Sequence, residues 1–301
     1  MILCCGEALI DMLPRETAEG ESAFAPHAGG SVFNTAIALG RLDAPVQFFS
    51  GLSSDLFGDV LRSGLAASQV DAGPAAISDR PTTLAFVKLT DGHASYAFYD
   101  ENTAGRMLTS DDLPNVTADA LFFGGISLVV EPCGAAYEAL MLREASTKLT
   151  MIDPNIRPSF ITDEAAYRAR LSRMMGVADI IKTSDEDLAW IMGTADADGF
   201  LAQTGAQVIL LTRGGEGVSI VTKDGTFDVP AEKAAVVDTV GAGDTFSAGF
   251  MAQLHKSGHL TKAGIKTASE DDLRAAAAFG AKVAAITVSR AGANPPWTSE
   301  L

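Results

Sequence analysis

Cysteine, histidine and basic residues are scarce in this chain of 301 residues, and each shortage removes a class of function. Three cysteines, Cys4, Cys5 and Cys133, cannot form a disulfide framework, and two of them are neighbours in an apolar, strand-like start. They read as buried thiols of a reducing compartment. The four histidines, His27, His93, His255 and His259, approach ligand spacing only at 255 and 259, where serine and glycine intervene near a helix end, so no metal is expected there. Lys and Arg number 22 against 38 Asp and Glu, giving a formal net charge of −16 with no basic cluster. Nucleic acid and anionic membrane are therefore excluded as main partners. No apolar run reaches the roughly 20 residues that span a bilayer, and the first residues lack the basic segment and apolar core of a secretory signal. A cytoplasmic location is expected. A Gly-x-x-x-x-Gly-Lys-[Ser/Thr] phosphate loop is also missing.

What is present suits a folded enzyme. With 47% apolar residues the chain can bury a large core, and its strand-like and helix-like segments alternate. Strands are expected at 2–5, 46–50, 121–123, 149–153, 180–183 and 208–212. Helices are expected at 31–41, 56–67, 134–146, 164–175, 185–192 and 273–286. That alternation predicts a mainly parallel sheet covered by helices, in one large α/β domain or two smaller ones. One segment departs from it: 82–90 and 93–99 show period-two patterning around Asp91-Gly92 and read as a β-hairpin. A further strand at 8–13 leads into a polar loop at 14–21. Such an antiparallel piece is either a sheet extension or a lid.

The most informative stretch is Asp238-Thr239-Val240-Gly241-Ala242-Gly243-Asp244-Thr245-Phe246. Phe246, Phe250 and Leu254 recur at helical spacing, so a helix opens here with Asp244 in its first turn. The N–H groups of residues 241 to 244 precede the first intrahelical bond, and small side chains let an anion reach them. A carboxylate beside such an anion hole is what phosphoryl transfer to a hydroxyl requires. Capping and the helix dipole alone would also favour an aspartate there. The second carboxylate, Asp238, after the β-like run 234–237, tips the reading toward a site. A dinucleotide fingerprint does not fit, because Phe246 occupies the position of the third small residue.

This stretch resembles the C-terminal signature of the pfkB (ribokinase-like) carbohydrate kinases, and Ala28-Gly29-Gly30-Ser31-Val32-Phe33-Asn34-Thr35-Ala36 resembles the N-terminal one. The likeness extends over nearly the whole chain. Gly6-Glu7-Ala8-Leu9-Ile10-Asp11-Met12, Tyr96-Ala97-Phe98-Tyr99 and Asp153-Pro154-Asn155-Ile156-Arg157 look most like bacterial fructokinases, with 2-keto-3-deoxygluconate kinases next. The resemblance implies a three-layer α/β/α kinase in a single domain, with a small antiparallel β lid at about 8–27 and 81–105 that shields the reaction from water. It also implies that ATP and Mg²⁺ serve as cofactors, that potassium can too, and that the lid can pair two copies into a homodimer. Asp244 is the expected base, with Gly241, Ala242 and Gly243 forming the anion hole. Asp11, Gly29, Gly30, Asn34, Arg106 and Arg157 are expected to contact the sugar. Lys182, Ser184, Thr212, Gly214 and Gly217 fall on the nucleotide side together with Gly241 and Gly243. Asp187 is expected to hold Mg²⁺ through water, and Asp238 with the Val240 carbonyl would hold a monovalent cation. Ser184 and Asp187 replace the asparagine and glutamate of the family's metal-organising element, which keeps oxygen chemistry there. Fructose is the expected acceptor. A non-catalytic sugar or nucleotide sensor on the same scaffold is the rival reading.

Overall fold

A computed structural model describes residues 1–90, 93–194 and 196–301. Along the chain the elements run β1 (Ile2–Cys5), β2 (Leu9–Glu16), β3 (Ser22–Gly29), α1 (Ser31–Arg41), β4 (Val46–Phe49), β5 (Gly51–Ser53), α2 (Leu56–Ala67), β6 (Ala76–Ser78), β7 (Leu84–Thr90) and β8 (His93–Tyr99). They continue with β9 (Ala120–Gly124), α3 (Cys133–Glu144), β10 (Leu149–Asp153), α4 (Glu164–Met175), β11 (Ile180–Ser184), α5 (Asp185–Met192), α6 (Ala197–Gln203), β12 (Val208–Thr212), β13 (Val218–Thr222), β14 (Gly225–Val229), α7 (Ala242–Lys256) and α8 (Glu270–Val288). Short polar caps fix several helix starts. The Asp55, Asp163, Ser184 and Ser269 side chains each accept a first-turn N–H, and Ser269 forms a reciprocal capping box with Asp272.

The large sheet has the order β14-β13-β12-β11-β10-β9-β1-β4. From β4 to β12 its neighbours are parallel, and β13 and β14 add antiparallel strands at one edge. Apolar runs such as Ile2–Cys5 and Ala120–Gly124 are buried on both faces, as a helix-covered parallel sheet requires. One face packs on α1, α2, α7 and α8 around Phe48, Phe122 and Phe250, and the other on α3 to α6 around Tyr137, Tyr167 and Phe200. From β1 the chain goes to β4 on one side and later returns to β9 on the other. The carboxyl ends of β1 and β9 thus flank the crevice where open α/β sheets take ligands. No helix among the described residues is long and apolar enough to cross a membrane.

A second sheet, β3-β2-β7-β8, is antiparallel except for the β2–β7 pair. It is the antiparallel piece the sequence suggested, and it stands over the crevice. The hairpin dipeptide Asp91-Gly92 lies outside the described residues. Two expectations change. The polar stretch 14–21 continues β2 through Glu16, which pairs with Ser22, because solvent-facing hairpin ends carry polar side chains without losing their ladder. The run 234–237 is not a strand: Val236 and Val237 are each 65% exposed, and only the N–H groups of Val237 and Asp238 reach a neighbour, the Val288 carbonyl. Branched side chains favour strands only where a sheet surface receives them.

Candidate active site

Gly241 caps α7 in the left-handed conformation at φ +78°, and a Cβ there would stand 2.6 Å from that of Ala293. Only glycine fits this turn. The first helical bond runs from the Thr245 N–H to the Gly241 carbonyl at 2.9 Å, leaving the N–H groups of Gly243 and Asp244 ahead of it. The Ala242 N–H donates to the Thr239 carbonyl at 3.3 Å, so one of the expected anion-hole donors is engaged. Phe246, Phe250 and Leu254 are buried, as their spacing required.

Asp244 is buried at the mouth of this helix, and its Oδ2 accepts the Asn34 amide at 2.9 Å. Burial pushes its carboxyl up to about 6; the charge of Asp153 adds to this, while Asn34, Lys182 and Ser31 oppose it. Asp11 also rises to about 6, through burial and the Asp244 charge. Such values suit a proton acceptor working near neutral pH.

Two cavities meet at this turn. One, of about 320 Å³, is lined by Asp11, Gly30, Asn34 and Arg157 among the expected sugar contacts, and by Lys182 and Asp244. Tyr96 and Phe98 of β8 roof it. Gly29 lies beside it, where a Cβ would overlap Asp11 Oδ2. The other, of about 650 Å³, runs along Thr212, Gly214 and Gly217 to the alanine-rich face of α8 at Ala281, Ala284 and Ala285. Thr239, Ala242 and Gly243 line both. Arg106 stays apart: it lies 3.4 Å from Asp100, donates to the Glu131 carbonyl and borders a cavity of only about 20 Å³ behind the crevice.

Next to the turn, Lys182 Nζ and Asp153 Oδ2 form a buried pair at 2.8 Å. Burial would lower the lysine, but Asp153, together with the Asp187 and Asp244 charges, outweighs that and holds it raised. Asp153 Oδ1 is buried with no hydrogen-bond partner. Asp187 accepts the Ile156 N–H at 3.2 Å, and its own N–H is capped by Ser184 at 3.0 Å. Burial and the Asp153 charge raise its carboxyl, against Lys182. These are hard oxygen donors, but no group of three or more His, Cys, Asp or Glu among the described residues is arranged to enclose a metal. A divalent cation here fits only with phosphate and water oxygens completing its shell.

Asp238 is accounted for by local structure. Its two oxygens accept the Val240 and Gly292 N–H groups at 3.0 and 2.9 Å, stapling the turn to the loop after α8. Asp153, Glu7, Tyr96 and Phe98 fall in segments that carry the family resemblance, but the motifs gave them no role. A carboxylate at a strand's carboxyl end was the available signal for Asp153.

Comparison with known proteins gives the family. A model described as pfkB family carbohydrate kinase matches residues 1–300. A fructokinase of Rhizobium leguminosarum bv. trifolii is 54% identical over 279 residues, covering 91% of this chain and 86% of that protein. A fructokinase of Salmonella typhimurium is 33% identical, over 92% of this chain and 90% of its own length. Among solved structures, the fructokinase of Xylella fastidiosa with bound ATP superposes with a TM-score of 0.88 at 30% identity, covering 97% of this chain and 93% of that one.

Proposed function

The chain belongs to the pfkB family of carbohydrate kinases, and from that membership we propose that it is a fructokinase, converting fructose and ATP into fructose 6-phosphate and ADP. The observation that carries the reading is the buried carboxylate of Asp244, held by Asn34 at a helix N-terminus where a sugar-sized cavity opens into a larger one. Fructose occupies the smaller cavity under Tyr96 and Phe98, with Asp11 accepting its hydroxyls. ATP lies along Thr212, Gly214 and Gly217 with its base toward α8, so that its γ-phosphate arrives at Gly243. Asp244 takes the proton of the primary hydroxyl as that oxygen attacks the γ-phosphorus in line and the bond to the bridging oxygen of ADP breaks. The free N–H groups of Gly243 and Asp244, with Lys182, meet the negative charge carried across. When bound, Mg²⁺ supplies charge neutralisation on the phosphate oxygens, held through water by Asp187 and the free oxygen of Asp153. Potassium would use Asp238 and the Val240 carbonyl, since each Asp238 oxygen accepts a single N–H group and keeps a lone pair.

The lid role of the second sheet belongs to the same reading, because an activated acceptor left open to water would waste ATP. Its outer surface exposes Phe24 and Tyr99, and pairing of two copies there gives a homodimer.

Coupled ADP release with Mg-ATP across fructose, 2-keto-3-deoxygluconate, ribose and adenosine, with and without potassium, tests the assignment. Fructose should be preferred, and Asp244→Asn should lower kcat by about 10²- to 10⁴-fold. Preference for another acceptor replaces fructose, and a variant that retains substantial turnover removes Asp244 as the base.

A further inference from the structure

Glu7 borders the smaller cavity, and the reaction described above gives it no part. It lies between β1 and β2, at the carboxyl end of a central strand. Its buried carboxylate meets two backbone donors: Oε1 accepts the Ser31 N–H at 2.9 Å and Oε2 the Ser127 N–H at 3.4 Å. Ser31 is the first residue of α1, and the helix has no cap of its own. Gly30 precedes it without a side chain, and the first turn holds no acidic residue. A serine or aspartate cap cannot replace Gly30, because φ is +109° and a Cβ would come within 2.9 Å of the Glu7 carbonyl oxygen. Glu7 therefore supplies from another part of the chain the acceptor that α1 needs. Gly125, at φ +70°, leaves the space the carboxylate fills, since a Cβ there would overlap Glu7 Oε1.

The capped turn leads directly to the reacting atoms. Asn34, one turn along α1, donates its amide to Asp244 Oδ2, and Thr35 donates its hydroxyl to the Asp244 carbonyl at 3.2 Å. We propose that Glu7 is the positioning residue of the base: by capping α1 it fixes the turn from which Asn34 aims the Asp244 carboxylate. This rests on the reading of Asp244 as base. Burial, and to a smaller extent the Asp244 charge, raises the Glu7 carboxyl against the hydrogen bonds it accepts, a cost that a neutral glutamine would not carry.

Glu7→Gln preserves volume but turns an NH₂ group toward one of the two N–H donors. It should lower kcat about 10- to 100-fold, the scale of a small misplacement of a reacting group, and leave the KM for ATP within about twofold. A double-mutant cycle with Asn34→Ala separates positioning from plain stability. If Glu7 acts through Asn34, adding Glu7→Gln to Asn34→Ala costs less than about a further twofold; independent roles multiply. A second readout needs no turnover. In ligand-free protein the Asn34 side-chain amide resonance, identified by its loss in Asn34→Ala, should shift in Glu7→Gln toward its position in Asp244→Asn. If circular dichroism shows the glutamine variant unfolded, Glu7→Asp, which withdraws the carboxylate by one methylene, is measured in the same way. Multiplicative losses, a kcat within twofold of wild type, or an unmoved resonance overturns the proposal. A raised KM for fructose with kcat intact also overturns it, making Glu7 a sugar contact. Should wild type phosphorylate no sugar, the fructokinase reading falls by itself and the resonance alone decides for or against Glu7.

Discussion

Replacing Asp244 by asparagine should remove most turnover and stabilise the fold in the same variant. Burial is the main cause that lifts the Asp244 carboxyl from its ordinary 3.8 to about 6. The folded chain therefore holds that proton more tightly than the unfolded chain. Below about pH 4 both states are protonated and the site costs nothing; between about pH 4 and 6 the cost of ionising it in the fold builds up, and above 6 it is complete. The displacement corresponds to about 3 kcal/mol, at about 1.36 kcal/mol per pH unit. Asparagine cannot ionise, yet it retains an oxygen to accept the Asn34 amide. The variant should therefore exceed wild type by up to about 3 kcal/mol at pH 8, or roughly 6 °C in Tm, and by nothing from this source at pH 4. Asp11 is raised in part by the Asp244 charge, so an Asp11→Asn, Asp244→Asn double variant should gain less than the two singles together. Thermal and urea unfolding followed by circular dichroism from pH 4 to 8 reads the difference. A variant no more stable at pH 8, or a gap independent of pH, would refute the burial argument. Activity follows the opposite sign: the base must be ionised, so kcat/KM of wild type should fall about tenfold per pH unit below about 6.

Two further outcomes follow from particular contacts. Lys182→Met leaves the Asp153 carboxylate buried without its cation and should destabilise the protein by about 3–5 kcal/mol in urea unfolding, whereas an unchanged midpoint would show that the pair is not insulated from water. For the lid surface, sedimentation at micromolar concentration should give a dimer that Phe24→Asp converts to monomer, and a monomeric wild type would rule this pairing out.

Much of the scaffold was legible because its elements carry local signals. The helices at 31–41, 56–67, 164–175 and 185–192 begin and end where the apolar spacing and caps put them, and the buried strands read as short apolar runs. The hairpin at 14–24 was missed because its exposed residues are polar on either account, and the run 234–237 misled because branched residues there have no sheet to join. The same division holds at the site. Asp244, Asn34 and the Gly241–Gly243 turn sit in contiguous motifs whose chemistry is short-range. Glu7 and the Lys182–Asp153 pair work through partners 24 and 29 residues away, and no local pattern gives those partners. Arg106 shows the converse: a guanidinium near a lid looks available in sequence, but the fold gives it Asp100 and a backbone carbonyl behind the crevice. Asp238, read as half of a carboxylate pair, also staples two loops together through the Val240 and Gly292 N–H groups. What sequence order leaves open in both cases is the partner, and for a half-buried charge the partner bears on whether the group serves the reaction or the fold.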